Sequence, residues 1–262
     1  ALEPQPLTGA GGRLVLAFDG RLDTRPEVAE ALGIDADLSS RLSDAGLVLR
    51  AWERWGEEAL PRLVGSFAFV IWDVHERALH AAASPSDART LFYRRDGGGL
   101  ILATMPRAIF ALPGPGRTVD AVKIADYLLD IQDPSRSFWA SVSVLPPGHR
   151  LRFQDGAVEV RRFRGATARE PLRLAGDDEC AEALLGILDR VVRDQLRSVT
   201  TVGVSLSGGL DSASVAASAA LALGRKSERL LAFTEVPRAG FSGPVPEGRY
   251  ADETPYVSAV AR

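Results

Sequence analysis

The residues with the clearest chemical potential form one run, Ser-Gly-Gly-Leu-Asp-Ser at positions 207–212, between an apolar stretch and an alanine-rich stretch. Gly208 and Gly209 let the backbone approach a ligand closely, because no Cβ atom stands in the way. The amides at the start of the following helix point toward the same place, where the helix dipole favours negative charge. The run therefore predicts a loop that binds an anion.

Three side chains of this loop refine the prediction. Ser207 and Ser212 add hydroxyl donors, and Asp211 adds a carboxylate that can hold a Mg²⁺ ion between phosphate oxygens. A Walker A loop is excluded, since its glycine-lysine-serine/threonine ending is missing. The pattern instead resembles the SGGxDS signature of PP-loop ATP pyrophosphatases, which split ATP between its α and β phosphates. This resemblance implies ATP and Mg²⁺ as cofactors.

The elements around the loop are those of a βαβ unit. We predict a strand at residues 202–206, a helix at 212–223, a second strand at 230–234 and a helix from about residue 252. Two strands joined by a helix pair in parallel, and ligands bind beyond the carboxyl ends of such strands. A helix with an apolar stripe is predicted before them, at residues 177–196.

The chain before residue 165 has a different pattern, in which short strands alternate with a few helices. The predicted strands are residues 14–18, 67–72 with 78–82, 91–94 with 100–103, and 149–153 with 158–162, and the predicted helices are 44–55 and 120–129. The polar residues 165–175 suit a linker. We therefore predict two domains, at residues 1–165 and 166–262.

Composition excludes several classes of function. A net charge of −3 gives no basic field for nucleic acid, and no apolar run approaches the length of a membrane span, about 20 residues. The single cysteine excludes an internal disulfide and favours a reducing, cytoplasmic compartment. We therefore expect neither nucleic acid nor membrane as a partner. The absent initiator Met suggests a trimmed or incomplete start.

Five stretches carry a more specific resemblance along nearly the whole chain. They are Ala-Trp-Glu-Arg-Trp-Gly at 51–56, Val-Gly-Ser-Phe-Ala-Phe-Val-Ile-Trp-Asp at 64–73, Thr-Leu-Phe-Tyr at 90–93, Leu-Pro-Pro-Gly-His at 145–149, and the 207–212 loop. In order and spacing the chain resembles the front part of an asparagine-synthetase-type protein.

The resemblance implies a fold for each domain. The first would be an α+β, four-layer αββα sandwich of the N-terminal-nucleophile (Ntn) glutaminase-like type. The second would be an α/β parallel-sheet PP-loop domain, adenine nucleotide α-hydrolase-like, and incomplete in this chain. The family's second metal-binding Asp and its later catalytic residues would lie beyond Arg262.

Several positions depart from the family pattern. A glutaminase of this type uses an N-terminal cysteine nucleophile, whereas residue 1 is Ala and no cysteine occurs before Cys180. Asp19 stands where the family has an asparagine, and its negative charge has the wrong sign beside a developing oxyanion. Ser84-Pro85 replaces an arginine-aspartate pair. These departures predict a first domain that no longer releases ammonia.

Without ammonia, the attacking amine must arrive with the substrate. Two branches of the family work in this way, the β-lactam synthetases and the cyclases that close the macrolactam of lasso peptides. Residues 133–139, 233–243 and 248–253 resemble the cyclases. The resemblance implies a leader-cleaved peptide substrate whose N-terminal amine joins an Asp or Glu side chain. A leader peptidase and a leader-binding protein would be partners. Asparagine synthetase, β-lactam synthetase and a non-catalytic binding module remain the alternatives.

Site roles follow from the same resemblance. The pyrophosphate part of ATP is assigned to Ser207, Gly208, Gly209 and Ser212, and Mg²⁺ to Asp211. The adenine is assigned to Ser205, Phe233, Thr234 and Glu235. The acidic pair Asp252-Glu253 stays open between a site role and a helix N-terminal charge pair.

Other reactive side chains are interpreted as structural. Cys180 shares a helix face with Leu184, so we expect a small buried hydrophobe there rather than a nucleophile. His75 and His80 flank a turn, and we expect both at surface or turn positions. Trp52 and Trp55 are expected to pack into the core.

Overall fold

A computed structural model describes residues 4–86, 88–131, 133–164, 173–224, 229–238, 240, 242–245 and 252–261. The chain forms two compact units, Ala1–Ala168 and Arg169–Arg262. The strands are β1 (Leu7–Gly9), β2 (Leu14–Leu22), β3 (Gly65–Asp73), β4 (Ala78–Ala83), β5 (Leu91–Asp96), β6 (Gly99–Ala103), β7 (Ser143–Leu145), β8 (His149–Gln154), β9 (Ala157–Arg162), β10 (Val202–Ser205) and β11 (Leu230–Phe233). The helices are α1 (Arg25–Ala31), α2 (Ala36–Arg41), α3 (Asp44–Trp55), α4 (Pro106–Ile109), α5 (Ala121–Leu128), α6 (Asp177–Gln195), α7 (Leu210–Gly224) and α8 (Thr254–Val260).

The first unit contains a six-stranded antiparallel sheet in the order β1-β2-β3-β4-β8-β9. A second sheet, in the order β6-β5-β7, is also antiparallel. The pairings β3 with β4, β5 with β6 and β8 with β9 confirm the three predicted hairpins. Tight turns produce them, and Gly97 at the β5–β6 turn has the positive φ of +57° that such turns favour.

One face of the large sheet packs against helices. The Ser43 hydroxyl caps α3 by accepting a hydrogen bond from the Gly46 amide, which explains why the helix begins there. Trp52 then lies edge-on to Phe69, with ring centroids 5.9 Å apart. Both rings belong to a buried cluster with Phe67 and Leu16, as expected for core packing of Trp52.

The opposite face of the large sheet packs against the second sheet. Leu91 of β5 and Leu151 of β8 lie in this second buried cluster, and Tyr93 packs against it. Arg94 alternates to the other side of β5, where its guanidinium donates to the carbonyl of Ile109 at the end of α4. In the first unit, helices therefore cover one face of the large sheet, and the second sheet packs against the other face.

The second unit is built on two parallel strands. Residues of β10 pair with β11 in register from Val202 with Leu230 to Ser205 with Phe233, which confirms the predicted parallel pairing. Helix α7 connects them and begins at Leu210, two residues earlier than predicted. On α6, Asp189 accepts a hydrogen bond from the Ser218 hydroxyl of α7, which joins the two helices.

Three structural expectations were wrong. Cys180 is exposed, and the apolar stripe of α6 is largely exposed too, because α6 buries only Val192 within the described part of the chain. His80 is buried rather than on the surface, because it lies within β4, on the sheet face that α3 covers, next to Trp52. His75, by contrast, lies at the exposed β3–β4 turn as expected.

Some predictions fall on residues outside the described ranges. They concern most of the linker, at 165–172, and parts of the cyclase-like segments, at 239, 241 and 248–251. Among the helices that the structure does describe, none is long and apolar enough to cross a lipid bilayer.

Candidate functional site

The predicted loop lies at the carboxyl end of β10. Leu206 is buried at the strand end, and its amide donates to the Phe233 carbonyl over 2.8 Å. The chain then leaves the sheet at Ser207 and enters α7 at Leu210. This is the edge at which ligands meet parallel sheets, so the loop is placed where the sequence predicted it.

A network of hydroxyl groups shapes the loop. The hydroxyls of Ser207 and Ser212 lie 2.8 Å apart, and the Ser212 Oγ also accepts a hydrogen bond from the Ser207 amide. The Gly209 amide donates to the Ser207 Oγ over 3.2 Å. A short loop between a strand and a helix is thus fixed by its own serines, which keeps its backbone in one conformation.

Several polar groups of the loop take no part in these hydrogen bonds and are available to a ligand. Within the described residues, the amides of Leu210, Asp211 and Ser212 have no hydrogen-bond acceptor, because the first amides of a helix lack an intrahelical partner. The Asp211 side chain is exposed at the same turn. Free amides beside an exposed carboxylate suit a phosphate and a divalent cation together.

The residues assigned to adenine are only partly brought together. Ser205 and Phe233 are direct neighbours across the two strands, and the Thr234 hydroxyl donates to the Leu206 carbonyl over 2.9 Å. The Phe233 ring lies against Gly203, where an added Cβ would come within 2.8 Å of it. Glu235 is exposed and makes no contact with the loop among the described residues.

The acidic pair that the sequence left open divides into two roles. Asp252 accepts the first amide of α8, that of Thr254, at 2.9 Å, and hydrogen bonds from Thr254 lower the pKa of Asp252. Glu253 instead reaches the loop, where its Oε2 accepts the Gly208 amide at 2.8 Å. Sequence reasoning noticed the pair and could not tell which carboxylate touches the loop, because the bond spans 45 residues.

The donor set for a metal at the loop is small. Across the described ranges, no group of three or more His, Cys, Asp and Glu side chains is arranged to hold a metal ion. Asp211 fits a cation that shares its coordination with phosphate oxygens, as Mg²⁺ commonly does with nucleotides. The residues present therefore suit a metal that arrives with ATP.

In the first unit, the positions that depart from the glutaminase pattern have structural partners. Asp19 of β2 lies 3.2 Å from the Arg89 guanidinium, so its charge is paired at the surface. Ser84 is buried, and its hydroxyl accepts the Phe67 amide over 3.1 Å. These contacts show what both side chains do in the fold.

Sequence reasoning missed a charged cleft of about 530 Å³ in the first unit. The Arg13 guanidinium and two turn amides hold the pKa of Asp73 down at about 2. Burial lowers the pKa of His80, whose Nδ1 lies 3.5 Å from a Glu57 oxygen. The charged residues that line the cleft come from helices, strands and turns far apart in the sequence, so the cleft has no local sequence signal. These charges are largely paired with each other.

Comparison with known families agrees with this two-part organisation. The model of the glutamine amidotransferase domain matches residues 2–164, and that of asparagine synthase matches residues 183–262. Because the first match covers more than half of the chain, the chain is of the class that contains a glutamine amidotransferase domain. With the asparagine synthase region that follows, the chain belongs to the asparagine synthetase family.

Two individual relatives share fewer than a third of their aligned residues with this chain. The chain is 26% identical to asparagine synthetase [glutamine-hydrolyzing] 3 of Bacillus subtilis, over 83% of this chain and 36% of that protein. It is 28% identical to a putative asparagine synthetase [glutamine-hydrolyzing] of Mycobacterium tuberculosis, over 89% of this chain and 36% of that protein. The chain thus spans about a third of the length of these relatives.

Among solved structures, glutamine phosphoribosylpyrophosphate amidotransferase from B. subtilis matches with 17% identity and a TM-score of 0.43. The match covers 95% of this chain and 54% of that one. A likeness at this level supports no conclusion about fold or activity.

Proposed function

We propose that this chain carries the ATP-binding loop of a ligase that forms amide bonds. One observation carries the proposal: the amides of Leu210, Asp211 and Ser212 lack acceptors directly beside the exposed Asp211 carboxylate. Membership of the asparagine synthetase family supports it. Anionic oxygens of pyrophosphate are the acceptors that such amides favour.

The loop residues have distinct tasks in this proposal. Ser207, Gly208, Gly209 and Ser212 surround the pyrophosphate part of ATP, and Asp211 contributes to binding Mg²⁺, which neutralises phosphate charge. Ser205, Phe233 and Thr234 line the adenine side at the adjacent strand ends, and Glu235 joins them at the rim.

The chemistry follows from what ATP supplies. A carboxylate is a poor electrophile until one of its oxygens becomes part of a good leaving group. Attack of that oxygen on the α phosphate releases pyrophosphate and gives an acyl-adenylate. An amine then attacks the acyl carbon, AMP leaves, and the amine loses a proton as the amide forms. Holding amine and acyl group on one molecule gives this step a large effective concentration.

For the acceptor, we propose a peptide whose own N-terminal amine closes a macrolactam with an Asp or Glu side chain, as in lasso peptide cyclases. Two features support an internal amine: Asp19, at the family's asparagine position, is paired with Arg89, and Ser84 has a structural role in place of the family's charged pair. A leader peptidase and a leader-binding protein would deliver the peptide.

A second candidate is a glutamine-hydrolysing asparagine synthetase. The names of the curated relatives and the amidotransferase match over residues 2–164 favour it. In that case ammonia released from glutamine replaces the peptide amine, while the role of the loop is unchanged.

Exchange of labelled pyrophosphate into ATP, measured with Mg²⁺ on the full protein, tests the ligase proposal. Asp211→Ala should lower exchange at least about 100-fold, the usual size of losing one electrostatic contact at a reacting centre. Asp178→Ala removes an exposed carboxylate of α6 and should leave exchange unchanged. Comparing peptide, aspartate and small amino acids as carboxylate donors then distinguishes the candidates. Undiminished exchange in Asp211→Ala would refute the metal role, and a wild type without exchange would indicate a binding module.

A further inference from the structure

Two contacts join α8 to the loop at a single glycine. The Gly208 amide donates to the Glu253 carboxylate at 2.8 Å, and the Gly208 backbone lies against Tyr256, which is 3.0 Å from where a Cβ would be. Asp252 accepts the Thr254 amide at the start of α8, and Glu253 is the member of the acidic pair that reaches the loop.

The contact places a negative charge inside the loop. A carboxylate oxygen and a phosphate oxygen are both anionic acceptors, and both compete for the proton of one amide. The free amides of Leu210, Asp211 and Ser212 remain for phosphate. Pyrophosphate bound there would therefore have two carboxylates as neighbours, those of Glu253 and Asp211.

The carboxylates of Glu253 and Asp211 repel a neighbouring phosphate unless a cation lies between the charges. At about 4 Å in water, two unit charges repel enough to reduce affinity about fivefold, and more where water is excluded. A divalent cation on the phosphate removes most of this penalty, whereas a bare pyrophosphate bears it in full.

Resting on the proposed function, we propose that Glu253 is a specificity-determining residue for the metal-complexed nucleotide. Its carboxylate occupies the Gly208 amide and disfavours metal-free pyrophosphate, so the loop accepts the phosphates together with their cation. The selection prevents ATP from binding in a form that cannot react.

Calorimetric titration of the full protein with inorganic pyrophosphate, in excess EDTA and in excess Mg²⁺, tests this role. Glu253→Gln keeps an acceptor oxygen for Gly208 and removes the charge. It should bind metal-free pyrophosphate about fivefold more tightly, with less than a twofold change for the Mg²⁺ complex. The matched control Glu182→Gln, at an exposed site on α6, should change neither affinity.

The ratio of the two affinities separates this role from a structural one. An unchanged ratio in Glu253→Gln would overturn the inference. A Glu253→Ala variant that binds both forms of pyrophosphate more weakly by the same factor would also overturn it. That result would indicate that Glu253 only supports the structure of the loop. If wild-type ATP–pyrophosphate exchange is present in those cases, only the inference fails. If the wild type neither exchanges nor binds pyrophosphate in either buffer, the ligase proposal fails with it.

Discussion

Within the described residues, the two units differ in how far their apolar side chains are covered. In the first, both faces of the six-stranded sheet are covered, with Phe69 and Leu16 packed toward the helices and Ala81 toward the second sheet. In the second, Leu184 and Phe233 are 67% and 62% exposed, although they lie on regular elements. The loop at residues 207–212 belongs to the second unit.

The polar groups of the two units differ in the same way, because those of the first are engaged in the fold and those of the loop are available to a ligand. Several charged groups of the first unit are paired with each other, as Arg13 is with Asp73 and Arg25 is with Asp44. Among the described residues, the loop after β10 keeps amides without acceptors and an exposed carboxylate, and such groups contribute little to stability. Substitutions in the two units should therefore have separable effects.

The largest effect should come from the core of the first unit. Phe69→Ala removes a fully buried ring that contacts Trp52 and Phe67, and should lower the free energy of unfolding by about 3–5 kcal/mol. Tryptophan fluorescence during urea denaturation measures it selectively, because all four tryptophans of the chain lie in this unit.

Phe69→Leu keeps most of the buried volume and should cost clearly less. A loss below about 1 kcal/mol in Phe69→Ala would contradict the packing described for this sheet face.

A smaller effect concerns acid stability. The Arg13 contact lowers the pKa of Asp73 from 3.8 to about 2, so the folded state holds this proton less tightly than the unfolded chain. The stabilisation is present above about pH 4 and is lost as the pH falls through about 2. Because Arg13 is half-exposed and solvent weakens the ion pair, we expect this stabilisation to be about 1 kcal/mol.

Urea denaturation at a series of pH values measures this loss. In Arg13→Gln the pKa of Asp73 moves back toward its ordinary value, so the pH dependence below about 4 should become weaker by that amount. Equal acid profiles of wild type and variant would show that this ion pair does not contribute to stability.

The smallest effect should come from the exposed face of α6. Leu184→Lys replaces an exposed leucine with a residue of similar helix propensity, so the free energy of unfolding should change by less than about 0.5 kcal/mol. Val192→Lys, at the buried position of the same helix, should destabilise the second unit strongly.

Hydrogen exchange of α6 amides monitors both variants. A large loss of protection in Leu184→Lys would show that this face is covered in the protein, and the contrast between the units would then disappear.

Local signals in the sequence were sufficient for most elements. The predicted helix at 44–55 matches α3, because an N-cap serine precedes a strongly periodic apolar pattern. Two of the three hairpins were predictable from glycines in their turns, Gly97 and Gly156. Helices α1 and α2 were missed, since each is short and carries too few residues to show a clear period.

Burial was less predictable than the elements themselves. The stripe on α6 correctly predicted a helix, and it wrongly predicted that Cys180 would be buried, because periodicity does not show whether a partner covers the face. His80 failed in the opposite direction, since its burial depends on α3, which lies far away in sequence.

By itself, the sequence determined the SGGLDS loop, the strand before it and the helix after it, because glycine conformation, helix capping and apolar runs act over a few residues. Only the tertiary structure decided that Glu253 rather than Asp252 touches Gly208, and that Asp19 pairs with Arg89. These contacts join residues far apart in the chain, and their existence depends on how whole elements pack.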